Sequence, residues 1–285
     1  MDGPVYMAQR LTMNCGNLEL SALTAGVATS PALILAHGWP LSAAIWEPLI
    51  ERLGERWFVL AFDLPGIGKS SKGDVPVIKT EIAKLLIEAA QMVGALNITF
   101  AGVDVGGMIA FSAARDHGQY VARSVIMNTV IPGVAPWSEI LANPHIWHFA
   151  FHQIPTLPEL LVKGHESAYF DYFVDTLAGA KEKISDEMRG DFVQAYADPR
   201  SLKTGFDLYR SMAQDAKLNC EPKQFDTPIL YLRGDADHRS IEPYLEGFKA
   251  AGATNVKGRV IPNCGEIISL EQPKALIEAL TDFVD

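Results

Sequence analysis

A strand that ends in a glycine-bounded turn at Asp104 constrains this chain more than any other feature. The stretch Ala-Gly-Val-Asp-Val-Gly-Gly, residues 101–107, follows an apolar run and leads into a helix of small residues. Gly102 and Gly106 flank Asp104 at the spacing of a G-x-nucleophile-x-G elbow, which needs glycines because its backbone is crowded. Such a turn lifts the central side chain above the sheet edge, beside N–H groups at a helix N-terminus. An ordinary turn is the alternative interpretation. The elbow instead predicts a carboxylate nucleophile, which attacks carbon directly and leaves an ester on the protein.

Apolar strand-like runs alternate with helical patterns on both sides of this turn. Strand-like runs lie at residues 32–36 and 229–233 and within the stretches 56–68, 97–118, 121–133 and 256–266, and helical spacing marks residues 81–96 and 273–284. This alternation predicts an α/β fold with a mainly parallel sheet covered by helices on both faces. The pattern breaks between about residues 133 and 218, an aromatic-rich stretch without strand-like runs. We therefore predict a core of residues 1–132 and 219–285, with residues 133–218 inserted as an α-helical cap.

Charge and cysteine usage narrow the function classes. The net charge of −10 argues against nucleic acids and anionic membrane surfaces as partners, because both need a basic footprint. No apolar stretch is long enough to span a bilayer, and residues 1–20 lack the pattern of a signal peptide. Cys15, Cys220 and Cys264 are odd in number and far apart, without metal-ligand spacing. We expect a cytoplasmic protein with no metal and no cofactor; the oligomeric state stays open.

The segment His37-Gly38-Trp39-Pro40 follows the strand-like run of residues 32–36. From this position the backbone N–H of Trp39 can face that of Val105. Together the two N–H groups would form an oxyanion hole for the carbonyl oxygen of an Asp104 ester, with His37 in the same substrate-binding segment. A strand-exit loop with one packing aromatic is the alternative.

The order of these motifs resembles the α/β-hydrolase-fold epoxide hydrolases and dehalogenases over essentially the whole chain. Before the helical segment, the order is His-Gly-Trp-Pro, then Asp-Leu-Pro-Gly-Ile-Gly-Lys-Ser at 63–70, then the Asp104 elbow. After that segment come Gly-Asp-Ala-Asp at 234–237, Cys-Gly-Glu at 264–266 and Glu-Gln-Pro at 271–273. The stretches Ile-Trp-His-Phe-Ala-Phe-His-Gln, 146–153, and Gly-Phe-Asp-Leu-Tyr-Arg-Ser-Met, 205–212, are most similar to bacterial epoxide hydrolases of the Cif type.

This resemblance implies residue roles and a substrate class. Asp104 matches the nucleophile, and Asp237 matches an acid that orients a histidine; Asn128 occupies the alternative acid position. In the helical segment, His148 and Tyr209 match the pair that donates hydrogen bonds to the epoxide oxygen during ring opening, a role suited to an acidic hydrogen in an apolar lid. The implied partner is a small apolar epoxide.

The residue after Cys264-Gly265 departs from the resemblance, because Glu266 stands where a histidine that activates water is expected. Asp104, Asp237 and Glu266 in one pocket cannot all ionise cheaply, so at least one pKa should rise, and a protonated Glu266 is no base. We expect slow turnover or trapping at the ester, since general-base help contributes ~10²–10⁴ in rate.

The remaining histidines offer no replacement. His238 adjoins Asp237 but is expected to point elsewhere, and the others are predicted to lie on the surface of helices: His117, His145, His152 and His165. Glu266 fits an engineered change, a natural loss of catalysis, or altered chemistry such as a lyase or cyclase. A non-catalytic ligand-binding or signalling protein and a haloalkane or haloacid dehalogenase-like hydrolase therefore stand as alternative functions.

Overall fold

The computed structural model describes residues 7–285, and eight strands in this range form a single sheet with the order β1-β2-β4-β3-β5-β6-β7-β8. Strand β2 pairs antiparallel with β1 and β4, whereas every other neighbouring pair is parallel. The predicted mainly parallel sheet is thus confirmed. The strand bounds are β1 Gln9–Cys15, β2 Leu18–Ala25, β3 Ala32–Ala36, β4 Phe58–Phe62, β5 Ile98–Val103, β6 Val121–Met127, β7 Ile229–Gly234 and β8 Val256–Ile261.

The α-helices within residues 7–285 fall into two groups. Those of the first group connect or follow the strands: α1 Glu47–Gly54, α2 Lys79–Met92, α3 Val105–Asp116, α11 Glu242–Ala250, α12 Ile268–Glu271 and α13 Pro273–Val284. Those of the second group lie between β6 and β7 and make up what we call the inserted segment: α4 Trp137–Leu141, α5 Trp147–Gln153, α6 Leu157–Val162, α7 Glu166–Leu177, α8 Asp186–Ala195, α9 Pro199–Arg210 and α10 Met212–Cys220.

The two faces of the sheet bury separate hydrophobic clusters, as the alternation of side chains along a strand requires. On β3, Ile34 belongs to the cluster under α2, α3 and α11, while Leu33 and Leu35 belong to the cluster under α1 and α13. In α13, Leu276 and Leu280 are fully buried in this second cluster. Strands buried on both faces explain why the central runs are almost entirely apolar.

The parallel strands β3, β5, β6, β7 and β8 all end at the same edge of the sheet. Ligands of open α/β sheets bind at this carboxyl edge, where the strand-exit loops meet. No helix within residues 7–285 combines the length and apolar character needed to cross a membrane. The prediction that residues 1–20 form no signal peptide falls partly outside the described residues, because these begin at residue 7.

Candidate active site at the carboxyl edge of the sheet

Asp104 sits at a strained turn between β5 and α3. Its φ of 51° lies in the left-handed region that non-glycine residues seldom adopt. A Cβ on Gly102 would lie 2.0 Å from the carbonyl oxygen of Gly106, and a Cβ on Gly106 would lie 2.2 Å from that of Ala36. Only glycine fits at these two positions. The turn therefore packs tightly against β3 and directs the Asp104 side chain out of the sheet.

One carboxylate oxygen of Asp104 already occupies an anion-binding position. The backbone N–H of Trp39 donates a 2.8 Å hydrogen bond to Asp104 Oδ2, and the backbone N–H of Val105 lies close enough to this carboxylate to lower its pKa. These are the two N–H groups that the sequence suggests for an oxyanion hole. Donors fixed by the backbone need no reorganisation when charge develops on an oxygen between them.

His37 faces away from this site. Its Nε2 accepts a 3.0 Å hydrogen bond from the backbone N–H of Leu64, so the proton lies on Nδ1, which is 2.8 Å from the carbonyl oxygen of Gly38. The imidazole is completely buried, and burial lowers its pKa. His37 thus joins the loop after β3 to the loop after β4, and its side chain holds the Gly38–Trp39 backbone in place.

A cavity of about 320 Å³ opens above Asp104 between the sheet edge and the inserted segment. It is lined by the five residues that the sequence suggests for catalysis, which are Asp104, His148, Tyr209, Asp237 and Glu266. Apolar side chains make up much of the remaining wall: Leu41, Val130, Ile140, Ile146, Phe149, Phe173, Val174, Leu177 and Ile267. Among the described residues, no cluster of three His, Cys, Asp or Glu side chains could hold a metal ion.

His148 on α5 and Tyr209 on α9 approach the cavity from the inserted segment, with ring centroids 5.9 Å apart. Burial lowers the pKa of His148 to about 4 and raises the pKa of Tyr209 well above its usual range, so both rings are neutral near pH 7. Within residues 7–285, neither side chain makes a hydrogen bond, and Nδ1 of His148 is buried without a partner. Two neutral, unpartnered polar groups in one cavity are available to a ligand oxygen.

Glu266 lies on the loop after β8, whose backbone is tied on two sides. Its N–H donates a 3.0 Å hydrogen bond to the carbonyl oxygen of Leu177 in the inserted segment. From the other side, Nδ2 of Asn128 donates to the carbonyl oxygens of Gly265 and Glu266, at 2.7 and 2.9 Å. Asn128, at the alternative acid position, therefore supports the loop that presents Glu266.

Two carboxyl groups that line the cavity, those of Asp104 and Glu266, have raised pKa values. Burial, followed by the charge of Asp104, raises the pKa of Glu266 well above its usual range. Burial also raises the pKa of Asp104 to about 6, against the lowering effect of the Trp39 and Val105 N–H groups and of the Lys79 charge. In this pair, burial and the charge of Asp104 favour the protonated form of Glu266, as the crowding of carboxylates suggests from the sequence.

Asp237 turns to arginine rather than to Glu266. It forms ion pairs with Arg233 and, at 3.8 Å, with Arg239. Arg233 is a cavity residue that belongs to none of the sequence motifs: its buried guanidinium lies 4.6 Å from the ring centroid of Tyr244. A charged residue that ends an otherwise apolar strand was the signal available for it.

The prediction that the remaining histidines lie on the surface is wrong for His152. His145 and His165 are exposed and His117 is half-buried, but His152 is completely buried. The physical reason is helical spacing, because residue 152 lies one turn after His148 on the same face of α5. Its Nε2 lies 2.7 Å from the hydroxyl of Tyr169, and its ring centroid is 4.5 Å from those of Trp39 and Tyr209.

Known proteins resemble this chain over most of its length. Residues 31–273 match the family model described as the alpha/beta hydrolase fold. The chain is 27% identical over 259 residues to a soluble epoxide hydrolase of Corynebacterium sp. (strain C12), covering 88% of this chain and 89% of that protein. It is 33% identical over 229 residues to a pimeloyl-[acyl-carrier protein] methyl ester esterase of Vibrio cholerae, covering 76% and 84%.

Among solved structures, the chain superposes on wild-type Cfl2 from Burkholderia cenocepacia with a TM-score of 0.89 and 26% identity, covering 99% of this chain and 97% of that one. These matches confirm the predicted fold class and the hydrolase resemblance. With a family model that spans most of its length, the chain belongs to the α/β-hydrolase fold family.

Proposed function

We propose that this protein opens epoxides through nucleophilic attack by Asp104, and that the resulting ester breaks down slowly or not at all. The free carboxylate oxygen bonds to a ring carbon, the ring C–O bond breaks, and its electron pair goes to the ring oxygen. That oxygen takes a proton from Tyr209, with His148 as a second donor, and the phenol regains its proton from solvent. The observation that carries the proposal is a single cavity shared by Asp104, Tyr209 and His148.

Hydrolysis of the ester is the step that Glu266 impairs. Water must be activated next to the Asp104 carbonyl, and a protonated Glu266 cannot accept its proton. Asp237, which would orient a histidine, is paired with Arg233 and Arg239 instead. We therefore expect Asp104 to be alkylated and the product to be released at a rate lower by ~10²–10⁴ than with a competent base.

We also propose which site residues the core and the cap each contribute. Residues 1–132 and 219–285 form the core that supplies Asp104, Asp237 and Glu266, and residues 133–218 form the cap that supplies His148 and Tyr209. The apolar walls and the volume of about 320 Å³ favour a small apolar epoxide as substrate. Three free thiols, on Cys15, Cys220 and Cys264, favour the cytoplasm as the place of action.

The test is to incubate the protein with styrene oxide and to weigh the intact chain. We expect a mass gain of one epoxide that maps to the peptide containing Asp104, with little diol in solution, and no gain for D104N. E266H should then release diol and shed the adduct. No adduct and no diol from wild-type protein across aromatic and aliphatic epoxides would reject the proposal.

A non-catalytic ligand-binding role is the second candidate, and it is favoured by Glu266 in the expected place of a histidine, with a pKa that burial raises. In that case small apolar ligands would raise the melting temperature without any mass gain or product. Release of chloride or fluoride from a halocarbon would instead point to a dehalogenase-like hydrolase.

A further inference from the structure

Lys79, the first residue of α2, carries a buried charge that the proposed reaction does not explain. Its side chain is 1% exposed, and its Nζ forms a 2.9 Å ion pair with Asp215, whose side chain is 3% exposed. The same Nζ donates hydrogen bonds to Ser211 Oγ, at 2.7 Å, and to the carbonyl oxygen of Leu208. Burying an ammonium group costs several kcal/mol before its partners compensate.

All three partners of Lys79 lie at the junction of α9 and α10 in the inserted segment. Leu208 and Ser211 lie on either side of Tyr209 and Arg210 in the chain. The hydrogen bonds of Lys79 therefore hold the last turn of α9, the helix that carries Tyr209. A cation at a helix C-terminus is favourable, because carbonyl groups there lack intrahelical partners. The backbone N–H of Lys79 adds a 2.9 Å hydrogen bond to Asp215, which fixes the two elements further.

The charge of Lys79 also reaches the nucleophile, because it lowers the pKa of Asp104. Burial lowers the pKa of Lys79 itself, and the charges of Asp215 and Asp104 oppose this shift. The other titratable groups that interact with Asp104 are Tyr196 and Tyr209 of the inserted segment and Glu266 after β8. Lys79 is the cation of this set, and its ion pair with Asp215 favours its charged form.

We propose that Lys79 is a positioning residue for epoxide opening: it holds the turn that carries Tyr209 against the core, and from this buried place its positive charge favours ionised Asp104. This inference rests on the function proposed above for the role of Tyr209. The effect of the charge on Asp104 can be measured without any substrate.

The variant for the test is K79M/D215N, because K79M alone would leave a buried, unpaired carboxylate. The D215N change keeps a side-chain oxygen that can accept from the backbone N–H of residue 79. K84M is the matched control, since Lys84 lies on the same helix but is 64% exposed and pairs loosely with Glu88. K79Q/D215N, which retains an N–H donor for Leu208, is a second neutral background in case the first does not fold.

The first readout compares each protein with the same protein carrying D104N, and measures the difference in their free energies of unfolding across pH. The pH at the midpoint of this change reports the ionisation of Asp104 in the absence of substrate. We expect the midpoint to move to higher pH in K79M/D215N and to stay in place in K84M. A folded double variant with an unchanged midpoint overturns the proposal.

The second readout is the rate of adduct formation with styrene oxide at a pH where Asp104 is fully ionised. We expect the rate to fall ~10–100-fold in K79M/D215N. The fall should be much smaller when the same pair is changed in Y209F, because that variant has already lost the contribution of the phenol to the rate. Equal losses in both backgrounds overturn the positioning role. If wild-type protein forms no adduct but the midpoint still moves, the proposed function fails while the effect of the Lys79 charge on Asp104 stands.

Discussion

At Asp104, burial and hydrogen bonding act in opposite directions. Burial raises the pKa of the carboxyl group to about 6, and the N–H groups of Trp39 and Val105 limit the rise. The left-handed backbone at this residue fixes the carboxylate where those two N–H groups point. A nucleophile with a raised pKa is more reactive once ionised but is present in smaller amount at low pH.

Adduct formation should therefore depend on pH through Asp104. Only the carboxylate attacks carbon, so the rate should rise by about tenfold per pH unit below pH 6 and become flat above it. The measurement is the initial rate of mass gain with styrene oxide at a series of pH values. E266Q should give nearly the same profile, because glutamine resembles a protonated Glu266 in charge and shape. A profile moved strongly to lower pH in E266Q would show that Glu266 is ionised beside Asp104.

Ionisation of the same carboxyl group should lower the stability of the protein above about pH 4. Its pKa is about 6 when folded and about 3.9 when unfolded, so the unfolded chain loses the proton first and stability falls as pH rises from about 4 to 6. D104N avoids this loss. We expect D104N to be more stable than wild-type protein by about 1–3 kcal/mol at pH 8, and equal to it near pH 4, in urea unfolding. D282N, at an exposed carboxylate paired with Arg259, serves as the control and should change little.

At the scale of elements, the loop after β8 depends on one buried carboxylate. Glu271 on α12 is completely buried and accepts four backbone hydrogen bonds. Two come from the inserted segment, from Gly179 at 2.7 Å and Ala180 at 2.8 Å. The other two come from the loop itself, from Gly265 at 2.8 Å and Ile267 at 2.9 Å, on either side of Glu266. This side chain thereby joins the loop that presents Glu266 to the segment above it.

E271Q should destabilise the protein by about 2–3 kcal/mol, because the amide nitrogen of glutamine would face at least one N–H group that now has an acceptor. The free energy of unfolding in urea measures the effect. The control is E278Q, since Glu278 on α13 is 64% exposed and should contribute little. A cost for E271Q no larger than that for E278Q would contradict the role given to Glu271.

For the whole molecule, Trp39 is the point where the sheet edge meets the inserted segment. Its ring lies within 6.1 Å, between centroids, of six rings from that segment: His152, Tyr169, Phe170, Phe173, Phe206 and Tyr209. Mutual burial of aromatic rings is a large stabilising contribution, and edge-to-face pairs add to it. The same residue supplies a backbone N–H to Asp104, so docking of the segment and geometry of the nucleophile are coupled.

Two glycines of the inserted segment test how closely it must dock. A Cβ on Gly205 of α9 would lie 2.9 Å from both Trp39 Nε1 and Tyr196 Cε1, whereas a Cβ on Gly190 of α8 meets nothing within 4 Å. G205A should cost about 1–3 kcal/mol through overpacking, and G190A should stabilise by about 0.5–1 kcal/mol through helix propensity. Thermal unfolding of the two variants measures both effects. Equal shifts in melting temperature would show that Gly205 does not require close contact with Trp39.

The sequence by itself determined the layers of this protein and the position of its most constrained turn. Apolar runs alternating with helical spacing can bury their surface only in a covered parallel sheet, and glycines around Asp104 mark a backbone too crowded for a Cβ. These are local signals, readable from neighbouring residues. They also located Glu266, because its place is defined by residues next to it in the chain.

The tertiary structure decided which polar groups lose water and which of them meet. Lys79 and Asp215 are 136 residues apart, Glu271 reaches Gly179 across 92, and His152 is buried against Trp39 from another element. Burial and pairing set the pKa of each group, and both depend on contacts between segments far apart in the chain, for which one sequence carries no local signal.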